Sequence, residues 1–122
     1  MSRAKWILLA VGAVVIAAVA IALSSGSPQP GLVGNRDVEK LRAEGARIVD
    51  VRTAAEFTGA HIEGAENVPL SDIAAVASSW DRSIPVVLYC AVGDRSDTAA
   101  EILASMGFER VYGLGGGIVQ WD

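Results

Sequence analysis

The sequence predicts a small α/β domain, a mostly parallel sheet with helices on both faces, behind one N-terminal apolar helix. Three observations lead there. From residue 35 onward, strand-like and helix-like segments alternate, and alternation of that kind lays strands side by side in parallel under crossover helices. The clearest strand-like segments, residues 48–51 and 85–89, are nearly continuous apolar runs, as expected of strands covered on both faces. The 122-residue chain is 52% hydrophobic with a mean hydropathy of +0.40, and the excess lies in one stretch near the start. The 88 residues from 35 to 122 suffice for one small domain and not for two.

Residues 7–23 are all Ala, Val, Ile or Leu except Gly12. As a helix they span about 25 Å at ~1.5 Å per residue, a little short of a ~30 Å hydrocarbon core. Trp6 adds an interfacial residue, and Arg3 and Lys5 precede the run with no acidic residue before Asp37. Positive charge on this side keeps the N-terminus in the cytoplasm and sends the following domain across the membrane. The length favours a retained signal anchor, whereas Ala20-Ile21-Ala22 has the small-x-small form of a signal-peptide cleavage site. The domain is therefore expected at the cell membrane on the extracytoplasmic side, single-pass, or secreted or periplasmic if the leader (residues 1–23) is cut. Residues 24–34 are Ser/Gly/Pro-rich and uncharged, a composition that reads as a flexible tether.

In the domain, Asn35 can cap a first helix with Val38 and Leu41 on one face and Gly45 as its stop. Residues 48–51 read as a buried strand. Thr53-x-x-Glu56 has the form of a capping box, so a short helix should run to about Gly59. Residues 61–67 read as irregular, residues 68–70 as a short extended piece, and Ser71 as the cap of a helix to about Ser79. Pro85 can open the next strand, which Cys90 ends. A helix over about 95–106 presents Ala99, Ile102, Leu103 and Met106 on one face and stops at Gly107. Residues 110–112 form a last strand, and a glycine-rich turn over 113–117 leads to a short end piece with Trp121.

Charge and cysteine content exclude several functions. All 14 acidic residues lie in residues 35–122 against eight basic ones, a net charge of −6. Such a surface is unsuited to nucleic acid, whose affinity comes from Lys and Arg on phosphates. Cys90 is the single cysteine and His61 the single histidine. This rules out an internal disulfide and leaves too few ligands for a His/Cys metal site. No cofactor is implied.

The chemistry concentrates in residues 90–96, Cys-Ala-Val-Gly-Asp-Arg-Ser, between the best strand and a helix. Ligands of open α/β sheets bind at the carboxyl ends of strands. A loop wrapped there can point backbone N–H groups inward, and the following helix adds partial positive charge; both favour a thiolate. Gly93 permits a turn that a Cβ hinders, Arg95 offers forked donors to an oxyanion, and Ser96 can cap the helix. A lone cysteine at a strand end is ordinarily a small core residue; glycine and arginine at this spacing favour a reactive one.

Residues 35–122 resemble a rhodanese domain of the single-domain sulfurtransferase type. The resemblance rests on Asp50-Val51-Arg52 with Glu56-Phe57, on residues 59–69 (GAHIEGAENVP), and on Cys90-x-x-Gly93-x-Arg95-Ser96. Gly107-Phe108 and residues 111–117 with Trp121 complete it. It implies a rhodanese-like parallel sheet and Cys90 as the nucleophile. Cys90 takes the outer sulfur of a small-molecule donor such as thiosulfate as a persulfide, and a thiol or cyanide acceptor removes it. Ala91, Val92, Gly93, Asp94, Arg95 and Ser96 then form the substrate-binding loop, its amides around the persulfide and Arg95 on the anionic donor. Asp50, Arg52, Glu56 and His61 belong to the structural support, with Arg52 and Glu56 expected to pair as ions. Asp94 is unusual, since rhodaneses active on thiosulfate often carry basic residues inside this loop.

Two other functions share the fold. Dual-specificity phosphatases place five residues between Cys and Arg, whereas Cys90 and Arg95 enclose four, a smaller ring better fitted to sulfur than to a phosphoryl group. A binding or redox-sensing module without turnover is the remaining alternative.

Overall fold

The computed structural model describes residues 31–121. The apolar run over 7–23 and the tether as far as residue 30 lie outside the described residues. Among the described residues, no helix is long and apolar enough to cross a membrane.

Nine elements follow one another: β1 (Gly31–Val33), α1 (Asn35–Ala43), β2 (Arg47–Asp50), α2 (Ala54–Gly59), β3 (Glu66–Asn67), α3 (Ile73–Ala77), β4 (Val86–Tyr89), α4 (Asp94–Ser105) and β5 (Val111–Leu114). Single 3-10 turns cover Leu70–Asp72 and Ile118–Gln120. The strands form one sheet in the order β1-β5-β4-β2-β3, and every neighbouring pair is parallel. All carboxyl ends therefore lie along one edge. β4 is central and buried along its whole length, and the residue that follows it is Cys90.

Alternation along the strands divides the core in two. Val49, Val86, Leu88, Cys90 and Val111 face α3 and α4, with Ile73, Ala99, Ala100, Leu103, Trp80 and Phe108. Ile48, Val87, Tyr89 and Leu114 face α1, with Val38, Leu41 and Ile62. The expected sheet with two covered faces is thus present, and the near-continuous apolar strands have the physical cause assigned to them.

Local differences have local reasons. The first helix is capped at Gly34 rather than Asn35; the Gly34 N–H donates to Asp37 Oδ2 at 3.2 Å. The extended piece expected at 68–70 falls two residues earlier, as β3. Pro69 has no N–H to give a ladder, whereas the Asn67 amide donates to the carbonyls of Asp50 and Arg52, both at 3.0 Å, and ties this segment to the end of β2. The helix expected from Ser71 begins as a 3-10 turn at Leu70 and ends at Ala77. Residues 31–33, assigned to the tether, form β1: Gly31, Leu32 and Val33 register with Tyr112, Gly113 and Leu114.

Candidate active site

β4 delivers Cys90 to the carboxyl edge, and the chain then turns sharply into α4. Gly93 makes that turn at φ +114°, in the left-handed region that favours glycine. Its N–H points back at the cysteine and donates to Sγ at 2.9 Å. Cys90 is fully buried. Two further groups face the sulfur: Asp94 Oδ1 and Ser96 Oγ, each 3.6 Å away. The Ser96 hydroxyl donates to the Gly93 carbonyl at 3.0 Å, so Ser96 braces the loop from inside the first helical turn and does not cap the helix. The cap is Gly93, which has no side chain to offer.

Arg95 reaches across to α2. Its two terminal nitrogens meet both oxygens of Glu56, at 2.7 and 3.0 Å. The expected Arg52–Glu56 pair is absent. Arg52 instead binds Asp50, with side-chain contacts of 2.7, 3.0 and 3.1 Å, and its backbone N–H also donates to Asp50 at 2.8 Å. The reason lies in the strand period: residues two apart share a face, so Arg52 falls on the side of Asp50. Glu56 is fixed elsewhere by its capping box. Its N–H donates to Thr53 Oγ1 at 3.2 Å, and its Oε1 accepts the Thr53 N–H at 3.2 Å, which leaves the carboxylate facing α4. The Arg95 guanidinium, with help from Thr53, lowers the Glu56 pKa from 4.5 to about 2.

The loop's one cation is spent on Glu56, while the Asp94 carboxylate lies beside the sulfur. The backbone N–H of Arg95 holds the Asp94 pKa below its ordinary value, and the Cys90 thiol adds to this. Asp94 and Asp97 both sit in the first turn of α4 and offset part of its positive end. Of the loop amides, the one that reaches Sγ is that of Gly93. Ala91 is half-buried, and Val92 projects outward, 63% exposed.

His61 is exposed and lies at the far end of α2. It stacks on Phe57 at 3.8 Å between ring centroids, and its Nδ1–H donates to the Phe57 carbonyl at 2.8 Å.

Two supporting residues were missed in the sequence. Gly117, at φ +67° and ψ −164°, lies against the loop; a Cβ there falls 2.7 Å from the Cys90 carbonyl oxygen. The next N–H, of Ile118, donates to that same oxygen at 2.9 Å. The glycine-rich turn is thus the floor on which the Cys90 loop rests, and the run of glycines was its only sequence signal. Tyr89, fully buried, accepts the Ile62 N–H on its hydroxyl at 3.0 Å, and burial pushes its pKa up to about 12.

A buried cysteine at the carboxyl end of the central strand, followed by four residues and an arginine, defines a class: α/β domains whose single cysteine sits at a strand–loop–helix turn. The chain belongs to the rhodanese-like domain family, whose model matches residues 35–122. Among its relatives, the thiosulfate sulfurtransferase GlpE of Pseudomonas fluorescens is 39% identical over 83 residues, covering 68% of this chain and 76% of that protein. The uncharacterized protein YqhL of Bacillus subtilis is 41% identical over 76 residues, covering 62% and 60%. Among solved structures, the rhodanese-like domain of an Anabaena protein has a TM-score of 0.63 at 33% identity, covering 78% of this chain and 73% of that one. The human single-domain sulfurtransferase TSTD1 has a TM-score of 0.66 at 24% identity, covering 78% and 96%, a likeness of fold.

Proposed function

We propose that the chain is a sulfurtransferase that carries sulfane sulfur on Cys90 from a small-molecule donor to a thiol or cyanide. The observation that carries this reading is the Gly93 N–H directed at Sγ at 2.9 Å, because a donor fixed at that distance stabilises negative charge on sulfur before and after transfer. In the first step the Cys90 thiolate attacks the outer sulfur of the donor. The new Sγ–S bond forms as the donor's S–S bond breaks, and the inner sulfur leaves with the bonding pair, as sulfite when the donor is thiosulfate. In the second step the acceptor attacks the outer sulfur, and Cys90 leaves as thiolate. One difficult displacement becomes two easier ones, with ping-pong kinetics. The relatives named as thiosulfate sulfurtransferases support the same assignment.

Incubation with a sulfane-sulfur donor should raise the protein's mass by one sulfur atom, and cyanide should remove it. A gain that persists in Cys90→Ala overturns the role of Cys90. No gain with any donor leaves a binding or redox-sensing module as the function.

The apolar run over residues 7–23, flanked by Arg3 and Lys5, supports placement of the domain on the extracytoplasmic side. Protease added to intact spheroplasts should digest the domain; protection until lysis overturns that orientation.

A further inference from the structure

The reactive sulfur sits in an arrangement of charge that suits one kind of donor. Asp94 Oδ1 lies 3.6 Å from Sγ, whereas the loop's one cation, Arg95, is engaged by both oxygens of Glu56. The Glu56 carboxylate and the Arg95 guanidinium cancel, and Asp94 remains. A dianion approaching the sulfur meets this carboxylate twice over, since the energy scales with the product of charges. Two apolar side chains near the loop are exposed, Val92 by 63% and Val119 by 65%. Val92 belongs to the loop, and Val119 adjoins it, as its N–H donates to the Ala91 carbonyl at 3.4 Å.

We propose that Asp94 determines donor specificity in this site, disfavouring dianionic thiosulfate and favouring a low-charge organic persulfide, R–S–SH, whose R group rests on Val92 and Val119. The inference rests on the sulfurtransferase reading and narrows its substrate class. Of the two acceptors 3.6 Å from Sγ, Asp94 Oδ1 and Ser96 Oγ, the carboxylate is the one that can take up the thiol proton. The Cys90 thiol donates to Asp94 Oδ1, so the carboxylate takes that proton as Sγ attacks the outer sulfur of the persulfide. The Sγ–S bond forms, the R–S–S linkage breaks, and the leaving R–S⁻ takes the proton from Asp94. The outer sulfur keeps its own hydrogen, so Cys90–SH and R–S–SH become Cys90–S–SH and R–SH with no net oxidation. Thiosulfate gains less from this relay, because its leaving group is sulfite, already an anion stable in water.

The test compares two donors, thiosulfate and mercaptoethanol persulfide, with the full-length protein and its Asp94→Asn, Asp94→Ser and Asp94→Glu variants. Sulfur on Cys90 is read by mass, and kcat/KM at two ionic strengths. The parent should prefer the persulfide. Asp94→Asn and Asp94→Ser should raise kcat/KM for thiosulfate about tenfold relative to that for the persulfide, with the larger change at low salt. Asp94→Glu should keep the parent's ratio, because it keeps the charge. A general loss of fold lowers both donors together and cannot move their ratio in this direction. If Cys90 takes sulfur from both donors and the ratio is the same in all four proteins, Asp94 does not select the donor and the proposal fails while the sulfurtransferase reading stands. If Cys90 takes sulfur from neither donor, both fail.

Discussion

At the residue scale, the site depends on two positions that never touch the sulfur. Gly117 occupies a backbone region open essentially to glycine alone, and a Cβ there also meets the Cys90 and Ala91 carbonyls. Holding a non-glycine residue in such a conformation costs about 1–3 kcal/mol, before the collision is counted. Gly117→Ala should therefore lower the urea midpoint and slow sulfur loading of Cys90, since relief of the collision displaces the loop. Unchanged loading in a folded Gly117→Ala protein contradicts the role of this glycine as a floor. The second position is Asp50, fully buried and bonded to Arg52, which is 6% exposed. Burial alone disfavours a guanidinium, yet the hydrogen bond to Asp50 outweighs it and raises the Arg52 pKa. Removing one partner strands the other, at a cost of about 3–5 kcal/mol. Asp50→Leu should show that loss in urea unfolding, and adding Arg52→Met should recover much of it. A double variant no more stable than Asp50→Leu contradicts this account.

At the scale of elements, Glu56 and Arg95 join α2 to α4 across 39 residues of sequence, and that clamp closes the reactive loop at its far end. The Glu56 pKa is about 2 in the folded chain against an ordinary 4.5. A carboxylate with a depressed folded-state pKa contributes its stabilisation in full above its unfolded value, and the contribution fades as pH falls through the folded one. The clamp should therefore stabilise the domain fully above about pH 4.5 and be lost by about pH 2. Urea midpoints of the parent and Glu56→Gln should differ most above pH 4.5 and converge near pH 2. Asp81 and Asp94, whose pKa values are also lowered, keep part of the acid slope in both proteins, so the difference between the two curves is the informative quantity. A difference constant from pH 6 to pH 2 shows that Glu56 acts through something other than its charge. The capping half of this arrangement was legible, because Thr53 and Glu56 are three apart. The ionic half was not, because sequence spacing suggested Arg52, four residues away, and only the fold brings Arg95 within reach.

At the scale of the whole molecule, legibility followed the range of the interactions. The two-sided sheet, the strand that presents Cys90 and the loop after it were readable because each is set by consecutive residues: an apolar run, a glycine that turns, a helix that follows. The unread parts are settled between distant segments. Gly117 matters through a carbonyl 27 positions earlier, and the strand position at 66–67 is fixed by what Asn67 can bond on β2. β1 is the clearest case. Three residues, Gly31–Val33, carry no periodicity, and Leu32 is 74% exposed, so nothing local marks them as a strand. Their reason to be one is the open edge of β5, which supplies the register Gly31↔Tyr112 to Val33↔Leu114, and the Gly115 N–H donates to Val33 at 2.9 Å. β1 thereby covers an edge that would otherwise be free to pair with another chain, and it anchors the start of the glycine-rich turn that supports the reactive loop. The folded unit thus includes Gly31–Val33, which lie ahead of residue 35, where sequence composition suggests the domain starts. A chain begun at residue 35 should be less stable than one begun at residue 31 by about 2–3 kcal/mol, the sum of a few net backbone hydrogen bonds. It should also associate more readily, through the bared edge of β5, and load sulfur onto Cys90 more slowly. Urea unfolding, light scattering and mass measurement on the two chains decide the matter. Equal stability and equal loading would mean that β1 is an ornament of the sheet and that the glycine-rich turn holds its shape without it.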